Sequence, residues 1–189
     1  MKLNNFVIAT SLVLGMVSFA NAAGVNTTTP TPTPTPPTDQ GHGTVSFTGD
    51  IVASPCSIDP TTLDQTVSLG QISATQLADG GASRPANFQI KLENCNVKSL
   101  TDGDVTETFT GAAGVDGRLG ISGTASGASI ALTDGAGNLI KLGTATAPQK
   151  IQNGNNSLEF AAYLKGDDAT GGIVPGEFNS IADFTLSYQ

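Results

Sequence analysis

The chain has 189 residues, a formal net charge of −8 and no tryptophan, and its few Lys and Arg residues are scattered. So acidic a chain, without a basic stripe, is not built to hold nucleic acid or an anionic membrane surface. The lone histidine and the lack of any helical apolar pattern beyond about two turns weigh against histidine-based catalysis and against a helical fold.

Lys2 precedes an apolar run from Phe6 to Ala20, broken by Thr10, Ser11 and Ser18, and Ala20-Asn21-Ala22 comes next. A basic start, a short apolar centre and small residues at the cut point predict a secretory signal peptide over residues 1–22. The run is short for a bilayer span. Residues 23–40 form a Pro/Thr-rich linker, in which repeated X-Pro steps from Thr27 to Thr38 disfavour helix and sheet and favour extended polyproline II.

From Gly43 to Ala53 the texture changes. Val45, Phe47, Gly49 and Ile51 fall on one side of an extended chain, and Thr44, Ser46, Thr48 and Asp50 on the other. This period of two predicts a strand with one buried face, lying in an N-terminal extension of residues 41–54. No hairpin turn ties it to the next segment of the chain. Alternation alone leaves two readings open: the first strand of its own domain, or a strand that pairs in another molecule.

Residues 55–189 are expected to form one β domain. Gln65–Leu69 is a short strand candidate, with Val67 and Leu69 facing one way. Ser73–Ala78 fits one helical turn with Ser73 as N-cap and Leu77 inward. Phe88, Ile90 and Leu92 alternate up to Cys95. Val105–Phe109 is a further strand, followed by a Gly-rich connection over residues 111–120. Ser129–Thr133 and Leu139–Leu142 flank a hairpin loop over residues 134–138. Leu158, Phe160 and Ala162 alternate next, and residues 166–172 read as a flexible loop. The chain closes on a strand in which Phe184, Leu186 and Tyr188 share a face. Such a strand must be paired on both sides or it leaves a sticky edge. About seven strands with frequent turns point to an antiparallel β-sandwich.

Cys56 and Cys95, the two cysteines of an exported chain, are expected to form one disulfide. Metal ligation or a reactive thiol are the alternatives, and no Cys or His neighbour supports either. His42 lies between two glycines beside the linker, so a Ser-His-Asp arrangement would have to be built on a mobile arm. Asp102, Asp104 and Glu107 lack the glycine and terminal glutamate of a calcium loop and read as a solvated loop and strand edge. Gly135-Ala136-Gly137 has neither a lysine nor a following helix, so it does not predict a phosphate site. No catalytic, metal or cofactor residue is expected, and no cofactor.

The ordered blocks Gly43–Gly49, Pro55–Ile58, Asp64–Gln71 and Phe88–Cys95, with Gly176 fourteenth from the C-terminus and Tyr188 penultimate, resemble the chaperone–usher pilins, specifically the major type 1 or P-pilus rod subunits. The resemblance implies an incomplete immunoglobulin-like β-sandwich, all-β and lacking its final strand. It implies a structural subunit of an extracellular fimbria that supports cell adhesion. Donor-strand complementation is a known form of strand addition at a sheet edge, and it would place Val45, Phe47, Gly49, Ile51 and Ala53 as donor residues. Phe184, Leu186, Tyr188 and the carboxylate of Gln189 would form the edge offered to a chaperone. Cys56 and Cys95 match the family disulfide. The implied partners are other pilin subunits, a periplasmic chaperone, an outer-membrane usher and, through the fimbria, a host-cell receptor, with no nucleic acid. A minor or tip-proximal subunit that itself binds a receptor is the alternative. The Pro/Thr tract is longer and richer in proline than the usual pilin N-terminus.

Overall fold

The computed structural model describes residues 41–168 and 172–189. The expected signal peptide, the Pro/Thr tract and part of the expected loop over 166–172 lie outside these residues. The chain divides between residues 48 and 49. Of the first unit, residues 41–48 are described; they form no helix or strand and are exposed. In the second unit, residues 49–54 are likewise exposed and unstructured, and the β domain begins beyond them.

The strands in chain order are β1 (Ser57–Ile58), β2 (Ala86–Cys95), β3 (Asp104–Gly111), β4 (Leu119–Gly120), β5 (Ser122–Gly123), β6 (Ala128–Asp134), β7 (Leu139–Ile140), β8 (Gln149–Lys150), β9 (Gly154–Gly166), β10 (Phe178–Asn179) and β11 (Ala182–Tyr188). One sheet has the order β1-β2-β9-β6-β4, with β7 added beside β6. The second has the order β11-β3-β8, and β5 pairs with β10 separately. The pairings are antiparallel, and most join strands distant in the chain.

The alternations read from sequence become the two inner faces. On β2, Ile90 and Leu92 are wholly buried, and on β9 Leu158, Phe160, Ala162 and Leu164 are buried while Ser157 and Glu159 are exposed. Val105 and Phe109 of β3 face them from the other sheet. Phe109 meets Phe160 edge-on at 5.2 Å between ring centroids, and Phe88 stacks on Phe160 at 5.4 Å. Offset and edge-on rings are the favoured aromatic geometries, and here the edge-on Phe109–Phe160 contact joins the two sheets. The Cys56–Cys95 disulfide is present and ties the chain before β1 to the end of β2. The hairpin between β6 and β7 is held by Asp134, whose Oδ1 accepts from the N–H groups of Ala136 and Asn138.

Short elements complete the domain. Helix α1 (Pro60–Leu63) starts at Asp59, whose carboxylate accepts from Thr61 N at 2.8 Å, with Pro60 at its first position. Helix α2 (Ala74–Leu77) matches the expected turn and buries Leu77. Ser73 occupies the N-cap position, but its hydroxyl bonds to Thr75 Oγ1 rather than to a helix N–H.

Two expectations are corrected. Gln65–Leu69 is not in a ladder; Val67 and Leu69 are half-buried between exposed neighbours, so the alternation is right but no strand lies alongside. Glu107 is not solvated with Asp102 and Asp104. It is fully buried, because it shares the inward face of β3 with Val105 and Phe109.

Candidate functional site

The free edge of β11 is the main feature of the domain. Asp104 and Gln189 exchange both main-chain hydrogen bonds, at 2.9 and 3.1 Å. In an antiparallel pair such exchanges recur at every second residue. By the register of β11 on β3, Ser187, Thr185 and Asp183 therefore also bond toward β3. The N–H and C=O groups of Ala182, Phe184, Leu186 and Tyr188 then point the other way. Among the described residues, no strand pairs with that outer edge.

The same four residues are half-buried, while Asp183, Thr185, Ser187 and Gln189 are exposed. Their inward side chains pack against the core. Along the unpaired segment at residues 65–72 runs an open apolar trench, which reaches the β11 edge at Ala182 and Phe184. Its larger part is about 870 Å³, floored by Leu77, Ile121, Ile130 and Leu164 and walled by Val67, Leu69, Ile173 and Phe178. A narrower part of about 180 Å³ continues beside β11, between Val67 and Phe184, over Phe109, Leu119 and Leu132. A trench with apolar walls, bordered by unpaired main-chain groups, is fitted to take an extended chain with alternating apolar side chains.

The chain turns sharply into β11. Gly176 lies so close to Thr124 and Ala125 that an added Cβ would sit 2.6 Å from Ala125 N, so a side chain there would push the β10 segment off its neighbour. Ser180 Oγ donates to Gly120 O at 2.6 Å, where the strand changes partner from β5 to β3. At the far end of β11, burial pushes the Tyr188 phenol above its usual pKa, against a hydrogen bond with Ser54 that pulls it down.

The expected site residues thus fall into two groups. Phe184, Leu186, Tyr188 and Gln189 come together on one strand, the first three lining the inner side of its open edge and Gln189 closing its pairing with β3. Val45, Phe47, Gly49, Ile51 and Ala53 are in no sheet, and Val45, Phe47 and Ile51 are 76%, 90% and 105% exposed. What sequence reasoning missed is the other wall, residues 65–72 and 173–178. Alternation of Val67 and Leu69 was a signal for it, but no local pattern says that the partner strand is missing. Among the described residues there is no cluster of His, Cys, Asp and Glu arranged to hold a metal. No helix among them is long and apolar enough to cross a membrane.

A family model described as "Fimbrial protein" matches residues 45–189. The chain is a member of the fimbrial protein family. It is 53% identical to the Fimbria A protein of Serratia marcescens, with each chain covered in full. It is 45% identical, again over the whole of both chains, to the major MR/P fimbria protein of Proteus mirabilis. Among solved structures, the fold is similar to a chaperone–usher pilus subunit, with a TM-score of 0.73 at 32% identity over 82% of this chain and 100% of that one. It also matches the P pilus rod subunit PapA, with a TM-score of 0.65 at 31% identity over 72% of this chain and all of that one. With these neighbours the domain is an incomplete immunoglobulin-like sandwich, and the fimbrial member described here is a structural protein rather than an enzyme.

Proposed function

We propose that this fimbrial protein is a rod subunit that polymerises by lending its N-terminal extension to the next copy. Residues 41–54 act as the donor, and residues 55–189 form the acceptor domain. Val45, Phe47 and Ile51 enter the apolar trench of a neighbour, Gly49 passes where the backbone approaches closely, and Ala53 comes after them. The observation that carries the reading is the open edge of β11 beside the unpaired segment at residues 65–72. An apolar trench of this size on a secreted domain is an aggregation hazard until something covers it.

The rest of the pathway answers the same hazard. A periplasmic chaperone lends a strand along Phe184, Leu186 and Tyr188 and holds the carboxylate of Gln189. An outer-membrane usher then exchanges that strand for residues 41–53 of the next subunit. Residues 1–22 direct export, residues 23–40 serve as a spacer, and the finished fimbria carries the cell to its host receptor. The tip-adhesin alternative is not favoured: the relatives of this chain include a major fimbrial protein, and a structural neighbour is a rod subunit.

The test is deletion of residues 41–53 in a strain that makes only this subunit with its chaperone and usher. The expected result is a folded, chaperone-held subunit and no fibres by electron microscopy. Fibres of normal length would overturn the proposal.

A further inference from the structure

Glu107 has no part in the trench, yet it is the largest charged side chain with no exposure at all. Its Oε2 lies 2.5 Å from Thr146 Oγ1 and accepts from Gln149 Nε2 at 3.1 Å. Its Oε1 is buried with no hydrogen-bond partner. The ion pairs among the described residues join Arg118 to Asp116 and Asp167, and Lys150 to Asp104; none reaches Glu107.

The partners of Glu107 all belong to one strap. Thr146 Oγ1 also accepts from Glu107 N, and Thr146 N donates to Glu107 O. Gly143 N donates to Phe109 O, and β8 continues the pairing at Gln149 and Lys150. Residues 143–150 therefore lie along the edge of β3 opposite β11, fastened at their middle by main-chain bonds to Glu107 and by its carboxyl group.

We propose that Glu107 is carried in the core as a neutral carboxylic acid, and that losing this proton loosens the 143–150 strap from β3, so that the subunit is held more tightly in acid than in base. A neutral carboxyl donates its proton from Oε2 to Thr146 Oγ1 while still accepting from Gln149. Oε1 is then an uncharged carbonyl oxygen, and the hydroxyl proton of half-buried Thr146 turns away from the carboxyl. The anion leaves a charge in an apolar interior with only neutral donors and no cation, which is the costly way to bury a carboxyl. The surrounding charges do not help it. Across from it, β11 presents Tyr188 and Leu186, and β6 presents Asp134, which repels the anion. Burial pushes the carboxyl above the usual glutamate range, against the hydrogen bonds from Thr146 and Gln149 that pull it down.

Linkage fixes the sign. A carboxyl whose folded pKa is raised binds its proton more tightly in the fold. Stability is then complete below the ordinary glutamate value of about 4.3 and falls as pH rises from there through the folded value. β3 is the strand on which β11 pairs, so a looser strap also loosens the backing of the acceptor edge.

The experiment is hydrogen–deuterium exchange on assembled fibres at about pH 5 and about pH 8, corrected for intrinsic chemical exchange. The expected result is that the amides of Gly143 and Thr146 lose protection by roughly threefold or more between the two, while Glu107→Gln removes that dependence. Wild-type protection that is level with pH, or an equal loss in Glu107→Gln, overturns the proposal. Infrared spectra of wild-type fibres carrying labelled glutamate carboxyls give a readout that needs no variant. One of the four glutamates should keep the carbonyl stretch of a protonated acid to a higher pH than the other three. If all four lose it together, the proposal fails.

Discussion

Replacing Phe47 by alanine in a donor peptide of residues 41–53 tests the donor assignment at its most sensitive point. Phe47 is 90% exposed in its own chain, so almost the whole side chain is available for transfer. The trench that would receive it is bounded by Phe109, Leu119 and Phe184, packed side chains that cannot close fully behind a missing ring. Burying a phenylalanine contributes about 1.5–3 kcal/mol, and leaving a cavity raises the cost of truncation to about 3–5 kcal/mol. A loss of about 3 kcal/mol corresponds to roughly 150-fold in Kd. The assay is competition of labelled peptide for a chaperone-held subunit that lacks residues 41–53. Val52 is the internal control. It is 67% exposed and has the opposite parity, so it faces away from the trench when Phe47 faces in. Val52→Ser should change binding by less than about 0.5 kcal/mol. The reasoning is refuted if Phe47→Ala binds within about threefold of the wild-type peptide, or if Val52→Ser loses as much as Phe47→Ala.

Two further outcomes concern single positions. An added Cβ at Gly49 meets nothing within 4 Å in the subunit; Gly49→Leu should therefore leave the chaperone-held subunit stable to within about 0.5 kcal/mol, yet stop fibre growth, as sedimentation of the products would show. Cys56 and Cys95 are 39 residues apart; replacing both by alanine should cost about 4 kcal/mol in the chain-entropy account, read by urea unfolding of the peptide-complemented domain, and a loss under about 1 kcal/mol would place the disulfide's effect elsewhere than in the unfolded chain.

Most of the sheets were legible in the sequence because burial on one face of a strand writes a period of two into the chain. Ile90 with Leu92, Leu158 through Ala162, and Phe184 through Tyr188 carry that period, and each lies on the inner side of a strand as expected. Asp134 and the glycines after it marked the hairpin for an equally local reason, the hydrogen bonds that an aspartate makes to the N–H groups just beyond it. The disulfide was legible from compartment and count, since an exported chain with two cysteines has few other uses for them.

The trench wall at residues 65–72 and the burial of Glu107 were decided only by the tertiary structure. Val67 and Leu69 alternate as a strand should, but whether a strand pairs depends on a neighbour, and among the described residues no strand lies beside them. Glu107 falls in the inward parity between Val105 and Phe109, a signal outweighed by its charge and by nearby Asp102 and Asp104. Its burial depends on a strap that arrives some forty residues later, when Thr146 and Gln149 close over it. Periodicity records which side of a strand faces inward. What lies on that side, a packed core, a hydrogen-bonding strap or an open trench, is decided by distant parts of the chain brought together by folding.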